Sequence, residues 1–576
     1  MMNPLKWWQR SVFYQIYPRS FADENGDGIG DFPGMIQKLD YLQDLGVDAI
    51  WLSPHFPSPQ FDCGYDITDY TGVAPEYGTL EDFKRFLHGA HQRGMHVILD
   101  LVLNHTSHEH PWFLESRSSR DNPRRDWYIW RDGKMDTKGE LEPPNNWNSS
   151  FDGQAWEFDP LTGQYYYHYF FKQQPDLNWR NPEVKRAMWN VVRLWLDMGV
   201  DGFRLDAIAT IFERPDLPNH PLEIGLAELH RLMRSARTTE ERAQARILRK
   251  AMFRYQLQQP GMHELMQELR TVVDEYRDCV LVAEDDDVAY HGNGENELHL
   301  VFNFPLMRTH RLIPAWVRAN QTRRLSTLAA ISPSAWPCNT LGNHDSPRVF
   351  SRYGDGVHDD EIARISLALM LTLRGTPFLY NGEEIGMTDM LLDDIELFRD
   401  LLGIWQYRAE IEQFGTNPAQ ALSYAARLTR DKNRTPMQWQ NASNAGFSPN
   451  GVRTWLPVNP NYARGVNVSD QLADPDSLLN FYRSMLRFRK INPALIEGDY
   501  VPLHEDAQEY LAFLRRCDSQ TCLVILNMSP STQRIRFDLE GKAARLLFSS
   551  HMFTPRQIDL SQVNLNPFEV IVAEMT

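Results

Sequence analysis

Short apolar runs alternate with helix-patterned stretches along most of the chain. The run VFYQIYP at 12–18 comes before FPGMIQKLDYLQDLG, and AIWLSP at 49–54 comes before FKRFLHGAHQRG. Apolar runs separated by segments of helical periodicity are typical of βα units in a parallel sheet. Eight such runs are present, and they predict an α/β fold, a closed (β/α)8 TIM barrel. The predicted strands are VFYQIYP, AIWLSP, HVILDLVLNH, GFRLDAI, CVLVAE, LHLVFNFP, WPCNTLGNHD and GTPFLYNGEE.

Four segments interrupt or end this alternation. Residues 106–179 are rich in Trp, Tyr, Pro and Asn and show no βα unit, which predicts a lid on the catalytic side. Insertions are predicted at 210–260, where a charged helical face is interpreted as solvated, and at 387–480. From 497 onward, short alternating runs between turn residues predict an antiparallel β-sandwich. The expected domains are a barrel at 1–105 and 180–496, a lid at 106–179 and a C-terminal domain at 497–576.

Composition and charge narrow the range of partners. The 576 residues are 42% hydrophobic and include 16 Trp, 22 Tyr and 29 Phe, which is ample for a large core. Because 76 acidic residues face 59 basic ones, the formal net charge is −17. This charge argues against binding to nucleic acid or to an anionic membrane surface, and it is compatible with a small neutral substrate.

The N-terminus and the cysteines indicate a cytoplasmic protein. The N-terminal sequence MMNPLKWWQRSVFY lacks a long apolar run before a small-residue cleavage site, so it is not expected to be a signal peptide. No segment reaches 18 uninterrupted apolar residues, so none is expected to span a membrane. The five cysteines are odd in number and scattered, which is typical of reduced thiols.

Polar residues lie at the carboxyl ends of several predicted strands. In GFRLDA, Asp206 lies near the exit of a buried strand, where an ionised acid is costly unless it is paired. Arg204 shares its strand face at the period of two and would keep Asp206 ionised. An isolated pair of this kind is usually structural, but His105, Glu284 and Asp345 end three other predicted strands. Because barrel chemistry is located at the carboxyl ends of the strands, we expect these residues to form one site.

These residues belong to five short motifs. DLVLNH, QPDLN, GFRLDA, VAE and NHD follow one another at 100–105, 174–178, 202–207, 282–284 and 343–345. In this order and spacing they resemble the α-amylase family of glycoside hydrolases (family 13), and within it the α-glucosidase and oligo-1,6-glucosidase-like branch. The resemblance implies a retaining enzyme on a (β/α)8 barrel, in which the lid is domain B and the C-terminal sandwich is domain C.

The resemblance assigns the catalytic roles. By its match to these motifs, Asp206 is the nucleophile and Glu284 is the general acid/base. Asp345 matches the third carboxylate, which binds sugar hydroxyls in the cationic transition state. To donate a proton near pH 7, Glu284 requires a raised pKa. His105 and His344 match the two site histidines of the family, which donate hydrogen bonds to sugar hydroxyls.

The resemblance also implies a pocket that closes behind one sugar. In members that act at chain ends, an aspartate and an arginine pair across the pocket floor and grip the terminal glucose, while a tyrosine stacks on it. Here those residues are Asp62, Arg434 and Tyr65, and Asp100 and Arg430 are interpreted as supports. The expected substrate-binding residues are Asp62, Tyr65, His105, Phe151, Phe170, Gln174, Arg204, His344 and Arg434.

One structural metal site is expected. The loop DENGDGIGD offers oxygen ligands at alternating positions, and Gly28 allows the turn. Its twelfth position is Gly34, where an EF-hand carries glutamate, so the loop is not an EF-hand. Chain-end enzymes of the resembled branch bind calcium at this loop, so we expect a structural Ca²⁺ and no cofactor for catalysis. The expected ligands are Asp23, Asn25, Asp27, the Ile29 carbonyl and Asp31.

The expected function is release of glucose from the non-reducing end of short α-glucosides, by double displacement through a glucosyl-enzyme on Asp206. Ala207 follows the nucleophile and favours α-1,4-linked, maltose-like substrates, since valine at this position accompanies α-1,6 preference in the resembled branch. Two alternatives are a transglucosylating or isomerising enzyme such as trehalose synthase, which shares the triad, and a non-catalytic family member, which would have lost it. Strand eight carries Asn381 where glutamine is usual, and both insertions are unfamiliar, so acceptor preference and oligomeric state stay open.

Overall fold

Eight parallel strands form the central sheet of the protein. The computed structural model describes residues 4–539, 543–551 and 557–575. The strands are β1 (Phe13–Ile16), β2 (Ala49–Leu52), β3 (His96–Val102), β4 (Gly202–Asp206), β5 (Val280–Ala283), β6 (Leu300–Val301), β7 (Cys338–Thr340) and β8 (Thr376–Tyr380). Their spatial order is β6-β5-β4-β3-β2-β1-β8-β7, and a parallel bridge between Phe302 and Cys338 closes the ring. The predicted barrel is confirmed.

Side chains of the barrel strands alternate between two environments. Phe13 and Trp51 belong to a buried cluster inside the ring, whereas Ile50 belongs to the larger cluster between the strands and the helices. This alternation with a period of two is typical of strands that are covered on both faces. On β4 the outward positions are also apolar, and the inward ones near its end are Arg204 and Asp206. The strand pattern therefore delivers these two side chains to the interior.

Helices surround the ring, with one departure from the predicted alternation. Between β5 and β6 the described chain has no α-helix and only a 3-10 turn at Val288–His291. The helix Pro314–Ile331 covers this side, and its Arg324 donates to the Val301 carbonyl at 2.7 Å. The α-helices outside the lid are Trp7–Arg10, Phe32–Gln37, Leu39–Leu45, Leu80–Gln92, Pro182–Asp197, Leu226–Ser235, Thr239–Met252, Met262–Val273, Phe304–Met307, Pro314–Ile331, Val349–Tyr353, Asp359–Thr372, Leu401–Phe414, Pro418–Leu428, Val468–Ala473, Leu478–Lys490 and Pro493–Glu497.

The lid contains a small sheet that its composition does not predict. Its elements are the helix Pro111–Ser118, a three-stranded antiparallel sheet of Trp130–Arg131, Gln164–Tyr167 and Trp156–Asp159, and a hairpin of Lys134–Met135 with Leu141–Glu142. These strands are two to four residues long, too short to produce a visible alternation. A bridge between His105 and Asp176 joins the two ends of the lid beside β3. The lid therefore begins and ends at the rim of the barrel.

The C-terminal part forms the predicted antiparallel sandwich. The strands of the larger sheet, in spatial order, are Asp499–Leu503, Tyr510–Cys517, Gln520–Asn527, Val570–Met575, Ala543–Ser549 and Gln557–Asp559, and the smaller sheet pairs Gln533–Ile535 with Val563–Leu565. Ile535 and Val563 share a buried cluster with Leu523 and Ile525 of the larger sheet. Alternate residues of the two sheets thus face one core, as in other sandwiches.

The thiols and the helices bear on the expected location. All five cysteines lie in the described part of the chain and are free. Across that same part, no helix combines the length and apolarity needed to cross a membrane. Residues 1–3 lie outside the described residues. They belong to the N-terminal stretch that is not expected to be a signal peptide.

Candidate active site

One buried guanidinium lies at the centre of the site. Arg204 is fully buried, and its Nη1 donates to Asp100 Oδ1 at 2.5 Å and to Asp206 Oδ1 at 2.7 Å. Its Nη2 lies 2.8 Å from Glu284 Oε1, and the Trp51 ring centroid lies 5.1 Å from the guanidinium carbon. Asp100 is the direct neighbour of Arg204 in the register of β3 and β4. Burial opposes the charged form of Arg204, but the carboxylates outweigh it and raise its pKa.

The backbone after Asp206 holds Glu284 in place. Ala207 has a left-handed conformation with φ 42°, and its N–H donates to Glu284 Oε2 at 2.8 Å. The Glu284 N–H donates to the Leu205 carbonyl at 3.0 Å, because β5 lies beside β4. Positive φ is uncommon outside glycine and is often found at functional turns. These contacts and the shared Arg204 hold the carboxyl groups of Asp206 and Glu284 side by side.

Burial gives the carboxyl groups of Asp206 and Glu284 higher pKa values than exposed acids have. It raises the pKa of Asp206 to about 7 and that of Glu284 to about 8, while Arg204 opposes both shifts. The charge of Asp206 raises the pKa of Glu284 further. Because the two groups repel each other and share one cation, they titrate as a pair. Repulsion between the two carboxylates disfavours ionisation of both together, so the pair can provide one acid and one base.

Asp345 is held ionised on the other side of the site. Burial would raise its pKa, but the neighbouring arginines outweigh burial, and the pKa of Asp345 lies below its usual value. Its Oδ1 accepts from Arg434 Nη2 at 2.5 Å, and its Oδ2 lies 3.2 Å from His344 Nε2. This third carboxylate can therefore remain negative while the pair of Asp206 and Glu284 exchanges its proton.

A hydrogen-bond chain orients His344. Gln15 Nε2 donates to His344 Nδ1 at 2.7 Å, and burial lowers the pKa of His344, so the ring is neutral with its proton on Nε2. His344 Nε2 lies 2.6 Å from the Tyr65 hydroxyl, which donates to Asp100 Oδ2 at 2.9 Å. The Tyr65 ring stacks on the His344 ring, with 5.4 Å between centroids. Tyr65 thus links His344, in the loop after β7, to the cluster around Arg204.

Asp62, His105 and Gln174 meet at the closed end of the site. Gln174 Nε2 donates to Asp62 Oδ2 at 3.0 Å and lies 2.9 Å from His105 Nε2. All three side chains are buried. Burial raises the pKa of Asp62 and lowers that of His105 to about 3, so the histidine is neutral. The arrangement offers hydrogen-bonding atoms on three buried side chains.

The predicted ion pair between Asp62 and Arg434 is wrong. Asp62 Oδ1 lies 2.6 Å from Nη2 of Arg430, the residue interpreted as a support. Arg434 instead binds the loop after β7. Its Nε donates to the His344 carbonyl at 3.0 Å, and its Nη2 donates to Asp345. Arg430 begins a 3-10 turn that ends at Asn433, Arg434 follows it directly, and Arg430 is the one that reaches Asp62. Arg430 is therefore a wall of the closed end.

Two phenylalanines of the lid complete this wall. The Phe170 ring lies 5.3 Å from the His105 ring, and the Phe151 ring lies 5.1 Å from the Phe170 ring. The Arg430 guanidinium lies 5.1 Å from the Phe151 centroid, at the distance of a cation–π contact. The structure thus brings together all nine expected substrate-binding residues and the three carboxyls predicted to be catalytic at one end of the barrel.

A cavity of about 670 Å³ opens beside Glu284 and Asp345. None of the residues of the closed end lines it, whereas Glu284 and Asp345 do. The sequence did not single out its other walls, although their place after β6 and β7 is where barrel enzymes carry binding residues. They include Phe304, Met307, Arg308, Asn343 and Arg352.

The expected calcium loop is folded around its own acids. Asp23 accepts from the N–H groups of Gly26 and Gly28 at 2.7 and 2.9 Å, and Asp31 accepts from the Gly34 N–H at 2.6 Å. A Cβ on Gly28, whose φ is 90°, would lie 2.2 Å from the Arg453 carbonyl oxygen, so only glycine fits. Within the described residues, no three His, Cys, Asp or Glu side chains form a metal-binding group. The calcium site stays a prediction.

Two protein-family models match this chain over almost its whole length. The model described as alpha amylase, catalytic domain, matches residues 15–498. The chain belongs to the alpha-amylase family. A second model, maltogenic amylase, C-terminal domain, matches residues 500–572, which form the sandwich. The family predicted from the five motifs is confirmed.

Relatives of this alpha-amylase family member include glucosidases and an isomaltulose synthase. An oligo-1,6-glucosidase of Parageobacillus thermoglucosidasius is 39% identical over 583 residues and covers 98% of each chain. An alpha-glucosidase of Pediococcus pentosaceus is 39% identical over 535 residues, which are 88% of this chain and 89% of the relative. The structure of an isomaltulose synthase variant from Erwinia rhapontici NX5, in complex with its natural substrate sucrose, is 35% identical, covers 100% of both chains and has a TM-score of 0.86. The prediction of a glycoside hydrolase enzyme is confirmed.

Replacement of Arg204 by methionine should destabilise this member of the family by about 3–5 kcal/mol, because three buried carboxyls lose their shared cation. The free energy of unfolding, from urea denaturation at pH 7, measures the change. The loss should shrink at lower pH, where protonated carboxyls no longer need a cation. Arg193→Met, which breaks a half-exposed pair with Glu275, is the control and should change stability little. Equal losses in the two variants would contradict the central role of Arg204.

Proposed function

We propose that the protein is a retaining α-glucosidase that releases glucose from the non-reducing end of short α-glucosides. The closed end beside the acid–base pair carries this proposal. Asp62, Gln174 and Arg430 are buried and linked by hydrogen bonds, which supports a site for one sugar residue on that side. The cavity beyond Glu284 supports a place for the leaving group.

In the first half of the reaction, a carboxylate oxygen of Asp206 attacks the anomeric carbon of the terminal glucose. The bond to the leaving oxygen breaks, and Glu284 gives its proton to that oxygen. The product is a glucosyl ester on Asp206 and a free alcohol. The charge of Asp345 stabilises the cationic transition state, and His105 and His344 donate to sugar hydroxyls. Side-by-side carboxyls on one guanidinium support the separation of about 5–5.5 Å that retaining enzymes use.

In the second half, water enters from the cavity side. Glu284, now a carboxylate, removes a proton from the water, whose oxygen attacks the anomeric carbon. The ester bond breaks, Asp206 becomes a carboxylate again, and glucose leaves with the α-configuration. Each half inverts the anomeric centre once, so the overall configuration is retained.

The preferred linkage is proposed to be α-1,4. Ala207 lies next to the nucleophile, and its N–H binds Glu284, so a change of volume at this position would shift the proton donor beside the scissile bond. One of the two glucosidase relatives is an oligo-1,6-glucosidase, and the other is an alpha-glucosidase. Maltose and isomaltose must therefore be compared directly.

Product analysis on maltose, isomaltose, sucrose and trehalose tests the proposal. We expect glucose from maltose faster than from isomaltose, and NMR during the first minutes should show α-glucose before mutarotation. Maltotriose should lose one glucose at a time. Initial β-glucose would contradict the retaining mechanism, and cleavage of longer maltooligosaccharides into fragments without initial release of glucose would contradict action at chain ends.

A second candidate is an isomerase that returns the glucosyl group to a sugar. The isomaltulose synthase structure, with its TM-score of 0.86, favours this alternative over other transferases. An isomerase uses the same glucosyl-enzyme, and a hydroxyl of the bound leaving sugar replaces water. Incubation with sucrose separates the two: equal amounts of glucose and fructose support hydrolysis, whereas a new disaccharide without free fructose supports isomerisation. Trehalose from maltose would indicate a trehalose synthase.

We also propose that the loop at 23–31 binds a structural Ca²⁺. Two buried carboxylates, Asp23 and Asp31, lie close enough for their charges to interact. Burial raises the pKa of Asp31, hydrogen bonds from backbone N–H groups lower it, and repulsion from Asp23 raises it. A divalent cation held by the carboxylate, carboxamide and carbonyl oxygens of the loop would relieve that repulsion.

Ca²⁺ should raise the thermal unfolding midpoint of chelator-treated protein by a few degrees, without changing kcat at 25 °C. At a free Ca²⁺ concentration 100 times Kd, the stabilisation is about 2.7 kcal/mol. Differential scanning calorimetry measures the shift. Asp23→Asn should abolish the response, whereas Asp69→Asn, which alters an exposed turn, should keep it. A response that survives in Asp23→Asn would place the ion elsewhere.

The domain limits and the cellular location are part of the proposal. The bridge between His105 and Asp176 supports a lid at 106–179, and the strand that begins at Asp499 supports a C-terminal domain from 497. Five free thiols support a cytoplasmic location.

A further inference from the structure

A carboxylate of the second insertion reaches the closed end of the pocket. Asp400 is fully buried and immediately precedes the helix Leu401–Phe414. Its Oδ2 accepts from Arg430 Nε at 3.0 Å and from the Arg430 N–H at 2.8 Å, and its Oδ1 accepts from Arg430 Nη2 at 2.7 Å. Asp400 therefore holds both the side chain and the main chain of this arginine.

Asp400 competes with Asp62 for the same guanidinium. Nη2 of Arg430 also donates to Asp62 Oδ1 at 2.6 Å, and Nη1 lies 3.7 Å from Asp345 Oδ1. Because the fork of a guanidinium is rigid, the two contacts of Asp400 along the Nε and Nη2 edge fix the direction of Nη1. Without them, Arg430 could turn that edge to Asp62 and form a two-point pair there.

We propose that Asp400 is a positioning residue for the terminal sugar: it fixes Arg430 so that Asp62 and the Nη1 group of Arg430 stay available to sugar hydroxyls. This role rests on the proposed function. It also assigns a purpose to the insertion at 387–480, which supplies the carboxylate from outside the regular barrel units.

The charges around Arg430 agree with this division of roles. Burial opposes ionisation of Asp400, but Arg430 outweighs it and lowers the pKa of Asp400. Burial raises the pKa of Asp62, Arg430 and Arg434 oppose this shift, and the charge of Asp400 adds to it. Asp400 is thus the stronger partner of Arg430, and Asp62 is the one that can exchange part of its contact for a sugar hydroxyl.

Asp400→Asn tests the proposal without removing the helix cap. Asp400 Oδ1 accepts from the Leu402 N–H at 3.2 Å, and asparagine caps helices as well as aspartate does. We expect KM for maltose to rise by about 10-fold or more and kcat to change by less than about 3-fold, since binding is lost equally in the ground and transition states. Inhibition by glucose should weaken by the same factor as KM.

Asp394→Asn is the matched control, because Asp394 is exposed and caps the 3-10 turn Ile395–Leu397 of the same insertion. Its KM should equal that of the wild type. In an Arg430→Met background, Asp400→Asn should add no further increase in KM, because Asp400 acts through Arg430. If Asp400→Asn does not fold, Asp400→Ser keeps a cap and carries the same expectations.

Three results would overturn the role of Asp400. They are an unchanged KM in Asp400→Asn and Asp400→Ser, an equal increase of KM in Asp394→Asn, or an increase that persists in the Arg430→Met background. If the wild type releases no glucose from any α-glucoside, the proposed function fails, and the role of Asp400 falls with it. If the wild type does release glucose, any of the three results overturns only the role of Asp400 and not the proposed function.

Discussion

Asp206→Asn should lower kcat for maltose by at least about 10⁴-fold, because the amide cannot form the glucosyl ester. The substitution keeps the size of the side chain and removes only its charge and nucleophilicity. Glucose release under saturating maltose, followed with a coupled assay, measures the loss. Asp274→Asn, which removes an exposed acid at a helix end, should leave kcat unchanged.

The same variant should be at least as stable as the wild type. Asp100, Asp206 and Glu284 share the single cation of Arg204, so removal of one charge relieves repulsion between the other groups. The thermal unfolding midpoint should therefore stay level or rise, as is common where catalytic groups are strained by function. Retained activity would exclude Asp206 as the nucleophile. If the variant is inactive and its thermal unfolding midpoint falls strongly, loss of folding would explain the inactivity. That result would also contradict the expected relief of repulsion between the carboxyls.

Glu284→Gln should separate substrates by their leaving groups. Maltose needs a proton on its leaving oxygen, so its kcat/KM should fall by about 10²–10⁴-fold. The 2,4-dinitrophenyl α-glucoside has a leaving group that departs without a proton, so its kcat/KM should fall by less than about 10-fold. Added azide should accelerate turnover of this substrate, since it attacks the glucosyl ester without a general base. An equal loss on both substrates would contradict the role of proton donor.

The pH dependence follows from the two carboxyls. The wild-type kcat/KM should fall below a pKa of about 7, where Asp206 becomes protonated, and above a pKa of about 8, where Glu284 loses its proton. In Glu284→Gln the alkaline limb should disappear, because an amide has no proton to lose, while an acidic limb remains. A profile with the same alkaline limb in both proteins would assign that limb to another group.

The barrel and its carboxyls could be predicted from the sequence because they depend on local patterns. The period of two in GFRLDA places Arg204 and Asp206 on one strand face, and the register with β3 then brings Asp100 beside Arg204. Each polar residue at a strand end is carried to the same rim by the topology of the ring. The chemistry of Glu284, by contrast, depends on burial, which no single motif shows.

The partner of Asp62 could not be predicted, because two arginines lie four residues apart in one segment. Which of them faces Asp62 is decided by the 3-10 turn at Arg430–Asn433 and by Asp400, which is distant in the sequence. Asp400 gives no sequence signal beyond that of a helix cap. The short lid strands were missed for a similar reason, since their stability comes from tertiary contacts rather than from propensity.

The loop at 23–31 has a consequence for the order of assembly. Its Gly28 carbonyl accepts from the Trp455 N–H at 3.0 Å, and the Asp23 N–H donates to the Phe447 carbonyl at 2.9 Å. These contacts join stretches at opposite ends of the barrel sequence, so they form only after the chain between them is ordered. A nascent chain that stops before Trp455 should therefore be unable to fix this loop in its folded position, even when all the loop carboxylates have been synthesised.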